Sequence, residues 1–482
     1  MFSVISGVLC ALPHVYFNLS PIVWFAYIPL IMVIYFSTTR ETVFFSALFS
    51  FSYFGVSLFW LKVYHPLALP FMVLFFSMFA MAPSIASTFF YRKLRLNIFI
   101  LFPVLFFVFE YLRSTGYWGF PWVLTGYTQW NNEYLLHSVR YFGVYGLSAF
   151  VLTFNSLLAY SFLEGRVSLL IIVVALLFGF NIFYDKAAGD KPSFSEISVA
   201  MVQPATDTYR NWYAYKNELF DYIGKATKNL LASGSRLVIW PEGVFLDGID
   251  NNREFIKGLF GDTGTPGYIL AGANNYKSDT GKIYNSVYLV GRNDPADDFY
   301  SKIHLVPFGE EVPLEKRLPA LKREIEKLGG GGFRRGIEYK VFRKEGLPPF
   351  SVMICYEGAF PEIARRFVRN GASFLVNITN DYWTLSKTAH KQHAIILSFR
   401  ALENNIWIAR CGNSGVSGII NQNGVYTSRL EPFEKGSLAG KISGRVSGPL
   451  TFYTKYGDIL VYVSMILSAF YILYGLYGRS RH

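Results

Sequence analysis

Long apolar runs separated by brief polar connections fill the chain from Phe2 to about Tyr184. Each run is close to the roughly 20 residues that an α-helix needs to cross a bilayer. The pattern predicts seven spans, near 2–18, 21–37, 42–61, 69–91, 97–113, 141–163 and 167–184, and an eighth near 457–477. The first run has no small-residue cleavage site before the second begins, so it reads as a retained helix rather than a removed signal peptide. After residue 185 the period changes. Short β-rich runs alternate with amphipathic helical stretches, which predicts an α/β or layered α+β sheet fold. Candidate strands are Ile197 to Gln203, Arg236 to Trp240, Tyr268 to Gly272, Ser286 to Gly291, Ser351 to Cys355, Ser373 to Ile378 and Ile406 to Arg410. Candidate helices are Trp212 to Leu231 and Ala389 to Asn404. The expected organisation is a seven-helix membrane domain over 1–184, an extramembrane domain over 185–455, and a last span with its tail over 456–482.

Composition agrees with that division. Hydrophobic residues make up 52% of the 482 and charged residues 16%, which excludes a disordered or ordinary soluble protein. The 45 basic and 33 acidic residues give a net charge of +12. Basic side chains of the extramembrane segment alternate with carboxylates, and neither zinc-finger spacing nor an RNP-like aromatic motif occurs, so attraction to anionic lipid is preferred over nucleic acid. Lys and Arg concentrate in alternate short loops: Arg40, then Arg92, Lys93 and Arg95, then Arg166, then Arg479 and Arg481, against Lys62, Arg113 and Arg140 on the other side. That asymmetry predicts a cytoplasmic N-terminus and a large domain on the periplasmic or outer face of a bacterial inner membrane. The loop from Ser114 to Ser138, rich in Trp, Tyr, Gly and Pro, falls on the same side; it reads either as an interfacial aromatic belt or as a shaped loop facing the domain. Three cysteines, Cys10, Cys355 and Cys411, cannot build a disulfide framework.

Three strand ends carry candidate chemistry. Glu242 follows the apolar run RLVIW and a proline, Lys302 sits in FYSKIHLVPFGEEVP after an extended run, and Cys355 ends SVMIC. Open sheets place reactive groups at such ends. Singly, each has a structural explanation: a strand-end cap, a surface cation, a small buried hydrophobe. Together they supply a carboxylate, an ammonium and a thiol, the components of covalent acyl chemistry. The Gly329 to Gly332 run lacks Walker spacing and reads as a surface loop. His304, His390 and His393 have no HExxH spacing and read as structural or surface residues, and no metal or other cofactor is called for.

The ordered motifs WPEG, SKIHLVPFGE, CYEGAFPE and NDYWTLSKTAHKQHAIILSFRALENNIWIARCGNSGVSGIINQNG resemble the nitrilase, or carbon–nitrogen hydrolase, superfamily with its Glu-Lys-Cys triad. The membrane frame and the loop GYWGFPWVLTGYTQ narrow the resemblance to the apolipoprotein N-acyltransferase family, over essentially the whole chain. The resemblance implies an αββα sandwich, a phospholipid acyl donor, and an acceptor apolipoprotein whose N-terminal diacylglyceryl-cysteine becomes amidated. It assigns Glu242 as general base, Lys302 as oxyanion and positioning residue, and Cys355 as nucleophile. Glu310 matches a further essential glutamate, Tyr356 and Glu357 the residues after the nucleophile, and Trp212 an aromatic near the lipid entrance. The chain departs from the family pattern at Pro204 and Ala205, where Gly and Asn are commoner, and at Ser414, where Thr is commoner.

In the mechanism this implies, a carboxylate in reach of Cys355 takes the thiol proton, Lys302 and the N–H after the cysteine stabilise the oxyanion, and a thioester forms. A neutral α-amine then displaces it. Two other readings use the same fold: an amidase with water as acceptor, and a catalytically silent scaffold, which the intact Glu, Lys and Cys set disfavours.

Overall fold

The structure is a computed structural model that describes residues 1–165, 171, 194–208, 210–261, 267–277, 281–292, 298–313, 315, 317, 319–327 and 330–479. The chain divides into two compact units, Met1–Gly189 with Thr451–His482, and Asp190–Leu450.

The first unit is helical. Among the described residues, helices occupy seven of the eight predicted positions: Phe2–Val15, Ile28–Phe36 with the short turns before it, Thr39–Ser57, Ala68–Leu94, Ile98–Ser114, Val139–Glu164 and Ile459–Arg479. The span expected at 167–184 lies, apart from residue 171, outside the described residues. Among the described residues, four stretches are long and apolar enough to cross a membrane by themselves: Phe17–Phe36, Ala68–Leu94, Val139–Glu164 and Ile459–Arg479. The others are shorter or more polar. Thr39–Ser57 is capped by Thr38, whose hydroxyl accepts from the Glu41 N–H while the Glu41 carboxylate accepts from the Thr38 N–H. Its Ser46, Ser50 and Ser52 hydroxyls donate to carbonyls four residues back, so polar side chains sit in an apolar setting without unmet hydrogen bonds.

The aromatic loop after Ser114 is a shaped loop, and its centre is not an interfacial belt. Thr125–Gln129 forms a buried 3₁₀ turn. Glu110 accepts from the Thr125 N–H at 2.9 Å and its hydroxyl at 2.6 Å, while Arg113 donates to the Phe120 and Trp122 carbonyls at 3.0 and 2.9 Å. Tyr53 donates to the Val123 carbonyl, and the Trp24 indole to Gln129. Buried polar groups must find partners within the protein, and here the loop supplies them.

The second unit is a two-sheet sandwich. One sheet has the order β11-β1-β2-β3-β4-β5, formed by Gly436–Arg445, Phe194–Gln203, Leu237–Ile239, Tyr268–Lys277, Lys282–Gly291 and Phe299–Ser301. The other has the order β10-β9-β8-β7-β6, formed by Tyr426–Leu430, Ser417–Ile420, Ile408–Gly412, Phe374–Thr379 and Phe350–Ile354. The central strands β1, β2 and β3 run parallel, as do β6, β7 and β8. Buried on both faces, β2, β6 and β7 read as mostly apolar runs rather than alternating ones, broken at Ser351 in β6 and at Asn377 and Thr379 in β7. The sheets face each other through β1 and β8, where the Cys411 sulfur lies 3.4 Å from the Val202 carbonyl and 3.3 Å from that of Ile239. The helix Trp212–Ala232 covers the outside of the first sheet, with Trp212, Leu219 and Ile223 packed against Trp240 and Phe245. The helices Pro361–Arg369 and Lys387–Asn404 lie with the second sheet, completing four αββα layers. Gly330 to Gly332 belong to a loop whose Gly331 N–H donates to the Gly309 carbonyl.

Candidate active site

β2 is wholly buried and ends at Ile239; Trp240 follows it, and Pro241 then turns the chain out of the sheet. The turn leans on β3 at Gly272, where a Cβ would lie 2.5 Å from the Pro241 carbonyl oxygen, so only glycine allows the approach. The N–H groups of Val244 and Phe245 donate to the Gly272 carbonyl and fix the far side of the turn. Glu242 is thereby aimed at Asn285 on β4. The Asn285 amide donates to both Glu242 Oε1, at 2.7 Å, and Glu310 Oε1, at 3.0 Å. Lys302, one residue past β5 and 1% exposed, reaches the same two oxygens, at 3.5 Å from Glu242 and 2.8 Å from Glu310. The second Glu242 oxygen accepts from the Asn380 N–H at 2.9 Å, and the second Glu310 oxygen from the Val306 N–H at 2.9 Å.

The sequence pattern put Cys355 in a strand, but β6 stops at Ile354 and Cys355 opens the turn that follows. Its φ of +52° is left-handed, a conformation that costs a side-chain-bearing residue roughly 1–2 kcal/mol and that clusters at functional sites. Glu357 holds this turn. Its Oε2 accepts from the Ile354 N–H at 2.7 Å; its Oε1 accepts from the Tyr300 hydroxyl at 2.7 Å and from the N–H groups of Ile303 and His304 at 2.7 and 3.2 Å. One buried carboxyl therefore ties the nucleophile turn to the backbone that carries Lys302. Tyr356 is buried, its ring edge-on to Phe360 and tilted towards His304.

Electrostatics follow from burial and from this grouping. Burial pushes the Glu242 carboxyl up; Lys302 opposes that and Glu310 adds to it. Burial alone would lower Lys302, but the charges of Glu310, Glu242 and Cys355 reverse it and hold the ammonium well above its usual range. The Cys355 thiol is pushed up by burial and by Glu242, against Lys302. Glu357 is raised to about 7 by burial, opposed by its N–H and hydroxyl donors. The site thus combines a reluctant thiol, a carboxyl with raised proton affinity and a fixed cation, the combination that proton transfer followed by oxyanion stabilisation requires.

Trp212 is buried in the core, its indole N–H donating to the Val244 carbonyl at 3.1 Å and the Lys216 ammonium lying over its ring; it braces the Glu242 turn. His390 and His393 are buried, not on the surface, and both bond to Asp381. Burial lowers His304 to about 3, with Arg335 and Lys302 adding to the effect. Among the described residues, no cluster of three or more His, Cys, Asp or Glu is placed to hold a metal ion. Sequence reasoning passed over Asn285, Thr379, Asp381 and Arg410. A signal was present: Asn285 and Asn377 interrupt apolar strands, and Arg410 sits in IWIARCG, positions where a buried polar group must have partners. The two departures from the family pattern meet through Asn413, whose carbonyl accepts from the Ala205 N–H and whose own N–H donates to Thr379. Ala205 has a φ of +51°, a conformation that Asn tolerates better than Ala.

Residues 6–157 match the apolipoprotein N-acyltransferase N-terminal domain, and residues 198–447, over half the chain, match the carbon-nitrogen hydrolase family. The chain belongs to the apolipoprotein N-acyltransferase family. It is an acyltransferase by that membership. An apolipoprotein N-acyltransferase of Geobacter metallireducens is 27% identical, the alignment covering 100% of this chain and 96% of that one. Apolipoprotein N-acyltransferase 1 of Treponema denticola is 29% identical over 98% of this chain and 96% of its own length. Among solved structures, an amidase from Nesterenkonia sp. aligns with 58% of this chain and 99% of its own at 18% identity and a TM-score of 0.39.

Proposed function

We propose that the chain transfers an acyl group from a phospholipid, through a thioester on Cys355, to the N-terminal amine of a diacylglyceryl-cysteine apolipoprotein. The observation that carries this reading is the left-handed turn presenting Cys355 to the charges of Glu242 and Lys302. Glu242 takes the thiol proton, and the thiolate attacks the ester carbonyl. Lys302, held by Glu310 and Glu242, with the N–H of Tyr356, stabilises the oxyanion; one such donor is worth about 3 kcal/mol. The C–O bond breaks, the lysophospholipid oxygen takes the proton from Glu242, and the acyl group stays on sulfur. A neutral amine then attacks the thioester, gives its proton to Glu242, and the C–S bond breaks. Glu357 and Tyr356 position the nucleophile turn, and Trp212 shapes the wall behind the Glu242 turn on the side of the acyl chain.

Seven spans over 1–184, a periplasmic catalytic domain over 185–455 and a final span complete the proposed arrangement. The membrane region and the bacterial relatives support an inner-membrane location.

Incubation with labelled phospholipid should leave a hydroxylamine-sensitive acyl group on the enzyme and none on Cys355→Ala. A diacylglyceryl-cysteine peptide with a free amine should discharge it much faster than water does, and an N-blocked peptide should not. Equal discharge by water would replace this reading with that of a hydrolase.

A further inference from the structure

The single hydroxyl proton of Thr379 has two claimants. β6 and β7 run parallel with Ile354 opposite Ile378, so Cys355, the first residue past β6, comes beside Thr379, the last residue of β7. Thr379 is fully buried; its hydroxyl donates to Asp381 Oδ1 at 2.8 Å, and beside Cys355 across the parallel pair it favours the thiolate, against burial and Glu242. A threonine has one proton to give, so it serves one acceptor at a time.

Asp381 does not depend on that proton. Its Oδ1 also accepts from His393 Nδ1 at 3.1 Å, and its Oδ2 pairs with the fully buried Arg410 at 2.7 Å. Gly415 leaves room for this pair: a Cβ there would lie 2.5 Å from Asp381 Oδ2. Burial works against ionisation of Asp381, but His393 and Arg410 outweigh it and hold the carboxyl well below the usual range. The other Arg410 arm donates to Asn377 Oδ1, and the Asn377 amide donates to the carbonyls of Met353 and Cys355 at 3.0 and 3.4 Å. The support of Asp381 is therefore rigid and anchored to the nucleophile turn. A threonine that only satisfied Asp381 would be redundant beside His393 and Arg410.

The groups facing the sulfur are Glu242 from the turn after β2, Lys302 from beyond β5 with Glu310 behind it, and Thr379 and Asp381 from the end of β7. His390 and His393 stand behind Asp381 on the helix Lys387–Asn404, and Arg410 on β8. While sulfur carries its proton it needs no donor, and the Thr379 hydroxyl goes to the carboxylate. Once sulfur is a thiolate, it needs one.

We propose that Thr379 is a catalytic residue of the first half-reaction: its hydroxyl turns from Asp381 to the Cys355 sulfur as the thiol gives its proton to Glu242, adding a donor to the stabilisation by Lys302. No bond at Thr379 breaks; the proton that moves is the thiol's, and it ends on Glu242. This rests on the thioester reading above, and goes beyond the Glu-Lys-Cys set.

The test uses the purified full-length enzyme in detergent, with the iodoacetamide alkylation rate of Cys355 followed by mass spectrometry from pH 5 to 10, and with single-turnover acylation by labelled phospholipid. A hydrogen bond to a charged group is stronger than one between neutral groups, and the bond given up to Asp381 offsets part of it. Thr379→Val should therefore alkylate about tenfold more slowly at pH 7, with the profile displaced to higher pH, and acylate about tenfold more slowly. Thr379→Ser, which keeps the hydroxyl, should stay near wild type in both. If the valine variant does not fold, Thr379→Ala carries the same expectation. Alkylation of Thr379→Val at the wild-type rate at every pH, or a serine variant as slow as valine, overturns the proposal. If wild-type enzyme forms no acyl-enzyme while Thr379→Val still slows alkylation, the thioester reading fails and the assignment of the hydroxyl to the thiolate stands.

Discussion

Glu310→Gln removes one charge from the centre of the site and leaves its shape. In the native site two carboxylates share one ammonium and one amide, and the Asn285 donor, at 2.7 and 3.0 Å, keeps their Oε1 atoms within reach of each other. Two unit charges about 6 Å apart at an effective permittivity of 20 repel by about 3 kcal/mol. Loss of that repulsion lowers the proton affinity of Glu242. Loss of the 2.8 Å partner also turns more of the Lys302 charge toward Glu242, which lowers it further. The glutamine cannot be accommodated without conflict: with its oxygen on Lys302 and Asn285, its NH₂ meets the Val306 N–H, leaving a buried donor unpaired at about 1–3 kcal/mol. Single-turnover acylation measured across pH should show the acid limb moved to lower pH, because a weaker base is unprotonated further down. The plateau rate should fall about 10- to 100-fold, as expected for a weakened general base and a loosened cation. An acid limb that stays in place or moves to higher pH, in a variant whose thermal midpoint shows it folded, would refute the assignment of Glu242 as the titrating base.

Ala205→Asn or Ala205→Gly should raise thermal stability by about 0.4–1 kcal/mol, because the native φ of +51° is strained for alanine, and a drop in the melting midpoint would refute that. Glu357 is raised to about 7 in the fold from a usual value near 4.3, so its contribution is fully present below pH 4 and is lost as pH rises through about 7. Wild type should therefore lose up to about 3 kcal/mol relative to Glu357→Gln between pH 5 and 8, read from paired unfolding curves; a gap independent of pH would contradict it. For the proposed orientation, a membrane-impermeant maleimide added to intact cells should label a cysteine placed at Lys282 and not one at Lys93, and the reverse pattern would invert the topology.

The helical positions were legible from apolar runs of near-bilayer length, and the strands that build the floor of the site because burial on both faces leaves mostly apolar runs in β2, β6 and β7. The outer strands were not. β11 reads GSLAGKISGR, with three glycines and no run of β-branched residues, and its place in the sheet comes from pairing with β1 rather than from its own preference. The nine-residue helix Pro361–Arg369 is too short for its period to stand out. At the site, Glu242, Lys302 and Cys355 lie in motifs, whereas Asn285 acts through a fork that exists only once β4 lies beside the Glu242 turn and the Lys302 segment. Arg410 meets Asp381 only when β8 lies beside β7. Pairings of that kind are properties of register, which the linear sequence leaves open.

The pairing of β1 with β11 joins residues 194–203 to 436–445, the first and last strands of the domain. During synthesis β1 emerges more than two hundred residues before its partner, and until then its outer edge carries unpaired N–H and C=O groups, the kind of edge that invites pairing with the wrong chain. High contact order of this sort slows folding, because the loop must close before the contacts that reward closure exist. The domain can complete its first sheet only when Arg445 has left the ribosome, with the helix Ile459–Arg479 made soon after. A chain truncated before β11 would thus keep every residue of the Glu-Lys-Cys set and still present a raw sheet edge, a substrate for quality control rather than an enzyme.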